Sequence, residues 1–76
     1  MLSTGRIDLI VKTTHHIYVI ELKLRNNGGK EAAIKQIQDR QHLEPFKADK
    51  REVVGLGIEL DEEGKGILDW EMVNEE

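Results

Sequence analysis

Cysteine is absent from the 76 residues, proline occurs once, and the aromatics are a single tyrosine, phenylalanine and tryptophan: Tyr18, Phe46 and Trp70. Each shortage removes possibilities. Without cysteine there are no disulfides and none of the thiolate-rich zinc sites, and the setting that fits best is the reducing cytoplasm. No apolar run approaches the ~18 residues of a membrane span, and the N-terminus lacks the charged-then-apolar order of a signal peptide. The expectation is a soluble, cytoplasmic protein that makes no use of a membrane. So few rings leave aliphatic side chains to supply most of the burial. A chain this short buries only about 60% of its unfolded surface, and small folds without disulfides lean on metals or on self-association.

Charge is plentiful but unevenly placed. The net charge is −4, yet residues 1 to 43 hold seven Lys/Arg against four Asp/Glu, and residues 44 to 76 hold four against eleven. The first segment suits a phosphate-bearing partner; the second does not, because affinity for polyanions comes largely from Lys/Arg displacing condensed counterions. Ordinary solvation of the surface accounts for both sets equally well.

The chain shows no repeat, linker or low-complexity tract and reads as one unit. Residues 6–12 are rich in β-branched and aliphatic residues and give way to the polar run Thr13-Thr14-His15-His16, which predicts a strand and a turn. A second strand runs from Ile17 to Leu24 and stops at Arg25-Asn26-Asn27-Gly28-Gly29. From Lys30 to about Leu43, Ala32, Ala33, Ile34 and Ile37 fall at helical spacing, with Pro45 marking the end. Glu52–Leu60 reads as a third strand, with Gly55 and Gly57 on one face announcing a close approach by another element. After the turn Asp61-Glu62-Glu63-Gly64-Lys65-Gly66, Ile67–Val73 reads as a fourth. The order is ββαββ. A strand–helix–strand crossover sets the third strand parallel to the second, so the predicted fold is α/β: a mixed four-stranded sheet in the order 1-2-3-4 with one main helix.

Alternation puts Arg6, Asp8, Ile10 and Lys12 on one face of the first strand and Ile17, Val19, Glu21 and Lys23 on the matching face of the second. With Thr14 and His15 at the turn centre, Asp8 lies opposite Glu21, Lys12 opposite Ile17 and Arg6 opposite Lys23. Directly opposed Cβ atoms sit about 4.5–5.5 Å apart, so two carboxylates stand side by side with an ammonium two residues on. A hard divalent cation such as Mg²⁺ relieves that repulsion and can serve phosphodiester hydrolysis. A solvated hairpin face on which Asp, Glu and Lys balance one another is the other reading of the same spacing.

The run Gly5-Arg6-Ile7-Asp8-Leu9, the twelve residues between Asp8 and Glu21, and the triplet Glu21-Leu22-Lys23 resemble the PD-(D/E)XK nuclease superfamily, with its restriction-endonuclease-like fold. More narrowly, the chain resembles the C-terminal nuclease-like domain of bacterial proteins that carry an ATPase-like domain upstream. The similarity continues through Ala33-Ile34-Lys35-Gln36-Ile37, Glu44-Pro45-Phe46 and Val53-Val54-Gly55-Leu56-Gly57-Ile58, over about residues 4 to 73. The resemblance implies a metal-dependent nuclease acting as an endonuclease, with Asp8, Glu21 and the backbone carbonyl of Leu22 holding Mg²⁺ (or Mn²⁺) and Lys23 as the catalytic lysine. It implies DNA, or secondarily RNA, as substrate, and an ATPase-like partner. Gln36 matches a glutamine that some branches place near the metal or phosphate, although Arg40 stands where those branches carry tyrosine. Arg6 either contacts phosphate or neutralises Glu21.

The superfamily core begins with a helix and a strand before the Gly-Arg-x-Asp strand, whereas Met1 stands only seven residues before Asp8. The expectation is a single nuclease-like domain over residues 1–76 that lacks those two elements. The missing helix leaves Leu9, Val11, Ile20, Leu22, Val54, Leu56 and Ile58 as an exposed apolar face, which predicts a homodimer. A catalytically inactive nuclease-like remnant, serving as a dimerisation or nucleic-acid-binding module, is the alternative. His15 and His16 read as solvated turn residues, His42 as a complement to the helix dipole, and Asp61–Gly64 as a turn without the ligand alternation of a calcium loop. Trp70 alternates with Leu68 and Met72, which favours core or interface packing over base stacking.

Overall fold

The computed structural model describes residues 8–39 and 41–74. Its elements are β1 (Leu9–Lys12), β2 (His16–Leu24), α1 (Gly29–Asp39), β3 (Glu52–Leu60) and β4 (Ile67–Asn74), with short 3₁₀ turns at Arg25–Asn27 and Glu44–Phe46. The sheet order is β1-β2-β3-β4; the outer pairs are antiparallel and β2 runs parallel to β3. Fold class, strand order and pairing sense follow the sequence reading. So does the hairpin register: Leu9 faces Ile20 and Lys12 faces Ile17. The turn that pins it is tied by backbone and side chain, with the Thr13 N–H donating to the His16 carbonyl at 2.8 Å and the His16 N–H to Thr13 Oγ1 at 3.0 Å.

Parallel pairing of β2 with β3 needs a crossover, and α1 provides it. The helix lies on the face that carries Ile17, Val19 and Glu21 from β2 and Val53, Gly55 and Gly57 from β3. The strand glycines are the reason it can sit so low. A Cβ on Gly57 would come within 2.8 Å of Ile34 Cδ1 and 3.1 Å of Ala33 Cβ, and one on Gly55 within 3.1 Å of Ile37 Cγ2. Ile17, Val19, Ile37 and Leu43 form the core, with Phe46 and Val53 packed against it. None of the helices among the described residues is long and apolar enough to cross a membrane.

At the start of α1 the covered face is polar. The Glu59 carboxylate accepts the Lys30 N–H at 3.0 Å and pairs with Arg25 at 3.3 Å, placing negative charge at the helix N-terminus. The Lys30 ammonium reaches Asp69 at 3.1 Å and Glu71 at 3.5 Å on β4. These hydrogen bonds and charges raise the Lys30 pKa and lower that of Asp69. Elsewhere Arg51 bonds Asp49 through Nε and Nη2, both at 2.9 Å, and holds its carboxyl well below the usual carboxylate range.

Three expectations are corrected. The helix ends at Asp39 rather than near Leu43. There the Gln41 N–H donates to the Gln38 carbonyl and the His42 N–H to that of Ile37, the two bonds of a Schellman turn, with Gln41 at φ 53° where glycine is usual. Leu43 is thereby turned into the core.

The face opposite the helix is only partly bare. Leu9 and Val11 are exposed, as expected, but Leu22, Leu56 and Ile58 are half-buried, and Ile20 and Val54 are buried among their cross-strand neighbours. The exposed set is completed by Ile67, Trp70 and Met72 on β4. Trp70 is therefore no core residue, at 56% exposure.

The alternation expected for β4 also breaks. Glu59 faces Asp69 while Leu60 faces Ile67, so Leu68 is the extra residue of a bulge. Ile67 instead joins Trp70, Met72, Leu56 and Ile58 around a groove of about 280 Å³, and Leu68 lies beside Arg25, Asp61, Glu62 and Glu63.

Candidate metal centre

Asp8 stands one residue before β1, and continuing the observed register sets it across from Glu21. Its Oδ2 accepts the Leu22 N–H at 2.9 Å, which ties the carboxylate to the peptide joining Glu21 to Leu22. Asp8 is exposed; Glu21 is 2% exposed. Glu21 is buried because α1 closes over its face of the sheet, with Gly57 directly beside it in β3. Sequence alternation identifies the face but says nothing of what covers it, so the solvated hairpin face does not describe Glu21.

Burying a carboxylate is costly unless it is hydrogen-bonded. Glu21 Oε2 accepts from Gln36 Nε2 at 2.6 Å, across from the middle of α1. Its Oε1 lies 3.8 Å from Nδ1 of His42, which is itself 3% exposed. The structure therefore brings Gln36 to Glu21 and adds a residue that sequence reasoning set aside. His42 is not solvated at a helix C-terminus, because the helix has already ended and the chain has folded back. Nothing in the local sequence announces this; a histidine followed by a core leucine three residues past the last helical one is the only trace.

Lys23 follows two residues after Glu21 on the same face of β2, half-buried, with Glu59 as its β3 neighbour. Glu59 is engaged by Arg25 and the Lys30 N–H. Arg6 and Arg40 lie outside the described residues. His15 is exposed in the turn, while His16 begins β2 and stacks on Tyr18 with ring centroids 5.6 Å apart. Asp61 closes its own turn, accepting the N–H groups of Glu63 and Lys65 at 3.0 and 2.8 Å, as the sequence suggested.

Among the described residues no three His, Asp or Glu side chains form a metal-binding group by themselves. Mg²⁺ does not require one: it is commonly held by one or two carboxylates and keeps several waters. Asp8 and Glu21, from adjacent strands and tied through the Leu22 peptide, with the Leu22 carbonyl next along the chain, are a hard-oxygen donor set of that kind. The residues fit.

A family model described as the PD-(D/E)XK nuclease superfamily matches residues 1–70. The chain belongs to that superfamily. The matched range contains Asp8, the Glu21-Leu22-Lys23 triplet, α1, β3 and the first four residues of β4, and the mixed sheet with one main helix is consistent with the superfamily's restriction-endonuclease-like fold. Members generally use divalent metals. No curated protein and no solved structure matches the chain.

Proposed function

We propose that the chain is a metal-dependent nuclease that hydrolyses the phosphodiester backbone of DNA. Asp8 and Glu21 hold Mg²⁺ or Mn²⁺ with the Leu22 carbonyl, and Lys23 is the catalytic lysine. The observation that supports this most is the 2.9 Å bond from the Leu22 N–H to Asp8, which fixes the first carboxylate against the strand carrying the second and the lysine. When bound, the ion supplies an activated water and neutralises charge that develops on phosphorus. Lys23, on the Glu21 face, steadies that charge or orients the attacking water. Gln36 keeps Glu21 in one orientation.

Incubation with plasmid, linear DNA and RNA, with Mg²⁺ or Mn²⁺, tests the reading. Cleavage that requires metal and disappears in Glu21→Ala and Lys23→Ala supports it; cleavage that survives both substitutions comes from a contaminant and overturns it.

Two observations favour a second reading, an inactive nuclease-like module. Glu21 is sealed under the helix, and β4 turns Asp69 and Glu71 toward the same face. In that case Mn²⁺ gives no stabilisation, whereas a working site gains stability on binding. Under either reading we infer a homodimer, two copies covering the apolar residues Leu9, Val11, Ile67, Trp70 and Met72 that a chain of this size leaves in water. Light scattering at micromolar concentration that returns a folded monomer contradicts the dimer.

A further inference from the structure

The geometry points to His42 as a positioning residue of the metal centre: with Gln36 it clamps the Glu21 carboxylate in the orientation that receives the ion. This rests on the reading of Glu21 as a metal ligand and assigns a role to a residue outside the superfamily's acidic-x-lysine motif.

Three features carry it. Glu21 Oε2 is taken by Gln36 at 2.6 Å, and Oε1, the second oxygen, is the one His42 Nδ1 approaches at 3.8 Å, both side chains being 2% exposed. That separation is longer than the roughly 2.7–3.2 Å of a hydrogen bond, and a displacement of about 0.6 Å, from 3.8 to 3.2 Å, would bring the pair to its outer limit. The approach is also built rather than incidental. Gln41 takes a left-handed conformation that side chains other than glycine and asparagine rarely adopt, and the turn it makes places His42 by a backbone bond to Ile37. Backbone strain of this kind persists where the surroundings impose it and tends to accompany sites. Finally, Leu43 in the core anchors the turn from the other side, so His42 is held between two fixed points.

Carboxylates that bind metals are themselves hydrogen-bonded, and loss of such a partner weakens metal affinity by about 10–100-fold. Asparagine places its amide nitrogen near the position of imidazole Nδ1, whereas leucine fills the space without a donor. The test is a Mn²⁺ titration followed by electron paramagnetic resonance, with thermal unfolding of the metal-free proteins, on the wild-type chain, His42→Leu, His42→Asn and Glu21→Gln. His42→Leu is expected to weaken Mn²⁺ binding at least tenfold while staying folded at the titration temperature, and His42→Asn to recover most of the affinity. Wild-type affinity in His42→Leu, or an asparagine variant no better than leucine, reduces His42 to packing and overturns the inference. If His42→Leu does not fold, wild-type-like binding by His42→Asn alone supports it and a loss overturns it. Binding that is unchanged in Glu21→Gln removes the metal-centre reading itself, and the inference with it.

Discussion

The two faces of one sheet have been treated differently. Both present alternating aliphatic residues, yet the face under α1 buries Ile17, Val19 and a charged residue, Glu21, almost completely, while the other leaves Leu9, Trp70 and Met72 about half exposed. Strand sequence does not separate them; the helix does, admitted by Gly55 and Gly57. The covered face therefore carries the stability and also the candidate chemistry, since the burial that gives Ile17 its value forces Glu21 to be held by Gln36. The other face, where Ile20 and Val54 are buried but the edge strands stay exposed, carries less of the first and none of the second, and is available for association.

That contrast can be broken most forcefully in the core. Ile37→Ala should cost about 2–5 kcal/mol, read by urea denaturation, whereas Met72→Ala on the bare face should stay within about 0.5 kcal/mol for the monomer; equal losses would erase the distinction. Gly57→Val drives a branched side chain into Ile34 and Ala33 and is expected to cost about 1–3 kcal/mol, with hydrogen exchange showing the loss concentrated in α1. Gln41→Gly relieves the left-handed backbone and should add about 1 kcal/mol, checked by the same denaturation, with the His42 placement retained.

The smallest expected effect is a pH dependence at the edge of the covered face. The folded pKa of Asp69 is lowered, so its stabilisation is present above the unfolded value and lost as pH falls through the carboxylate range and below. That of Lys30 is raised, so its share is complete below the unfolded lysine value and lost at still higher pH. Asp69→Asn should flatten the acid limb of the stability profile and reduce the alkaline loss.

The hairpin was legible in the sequence because Thr13–His16 fixes the turn and the side-chain period of a strand is two, so one register put Asp8 against Glu21 and set the faces. The strand glycines were legible for a similar reason: a missing Cβ is a statement about what comes close. The end of the helix was not, because Gln41 is a residue that favours helix and its left-handed conformation is imposed by the packing of Leu43 beyond it. The destination of His42 was lost with it. The bulge at Leu68 was hidden because Ile67 and Trp70 on either side are strand formers and the slip shows only in the pairing with β3, and the exposure of Trp70 because it depends on no element among the described residues covering that face.

Paramagnetic broadening maps the claim that Asp8 and Glu21 hold the metal most directly. Titrating the ¹⁵N-labelled protein with substoichiometric Mn²⁺ should broaden the amides of Asp8, Leu22 and Lys23 first, and Glu21→Gln should abolish the effect. Broadening centred on the acidic turn from Asp61 to Gly64, or unchanged by that substitution, would contradict it.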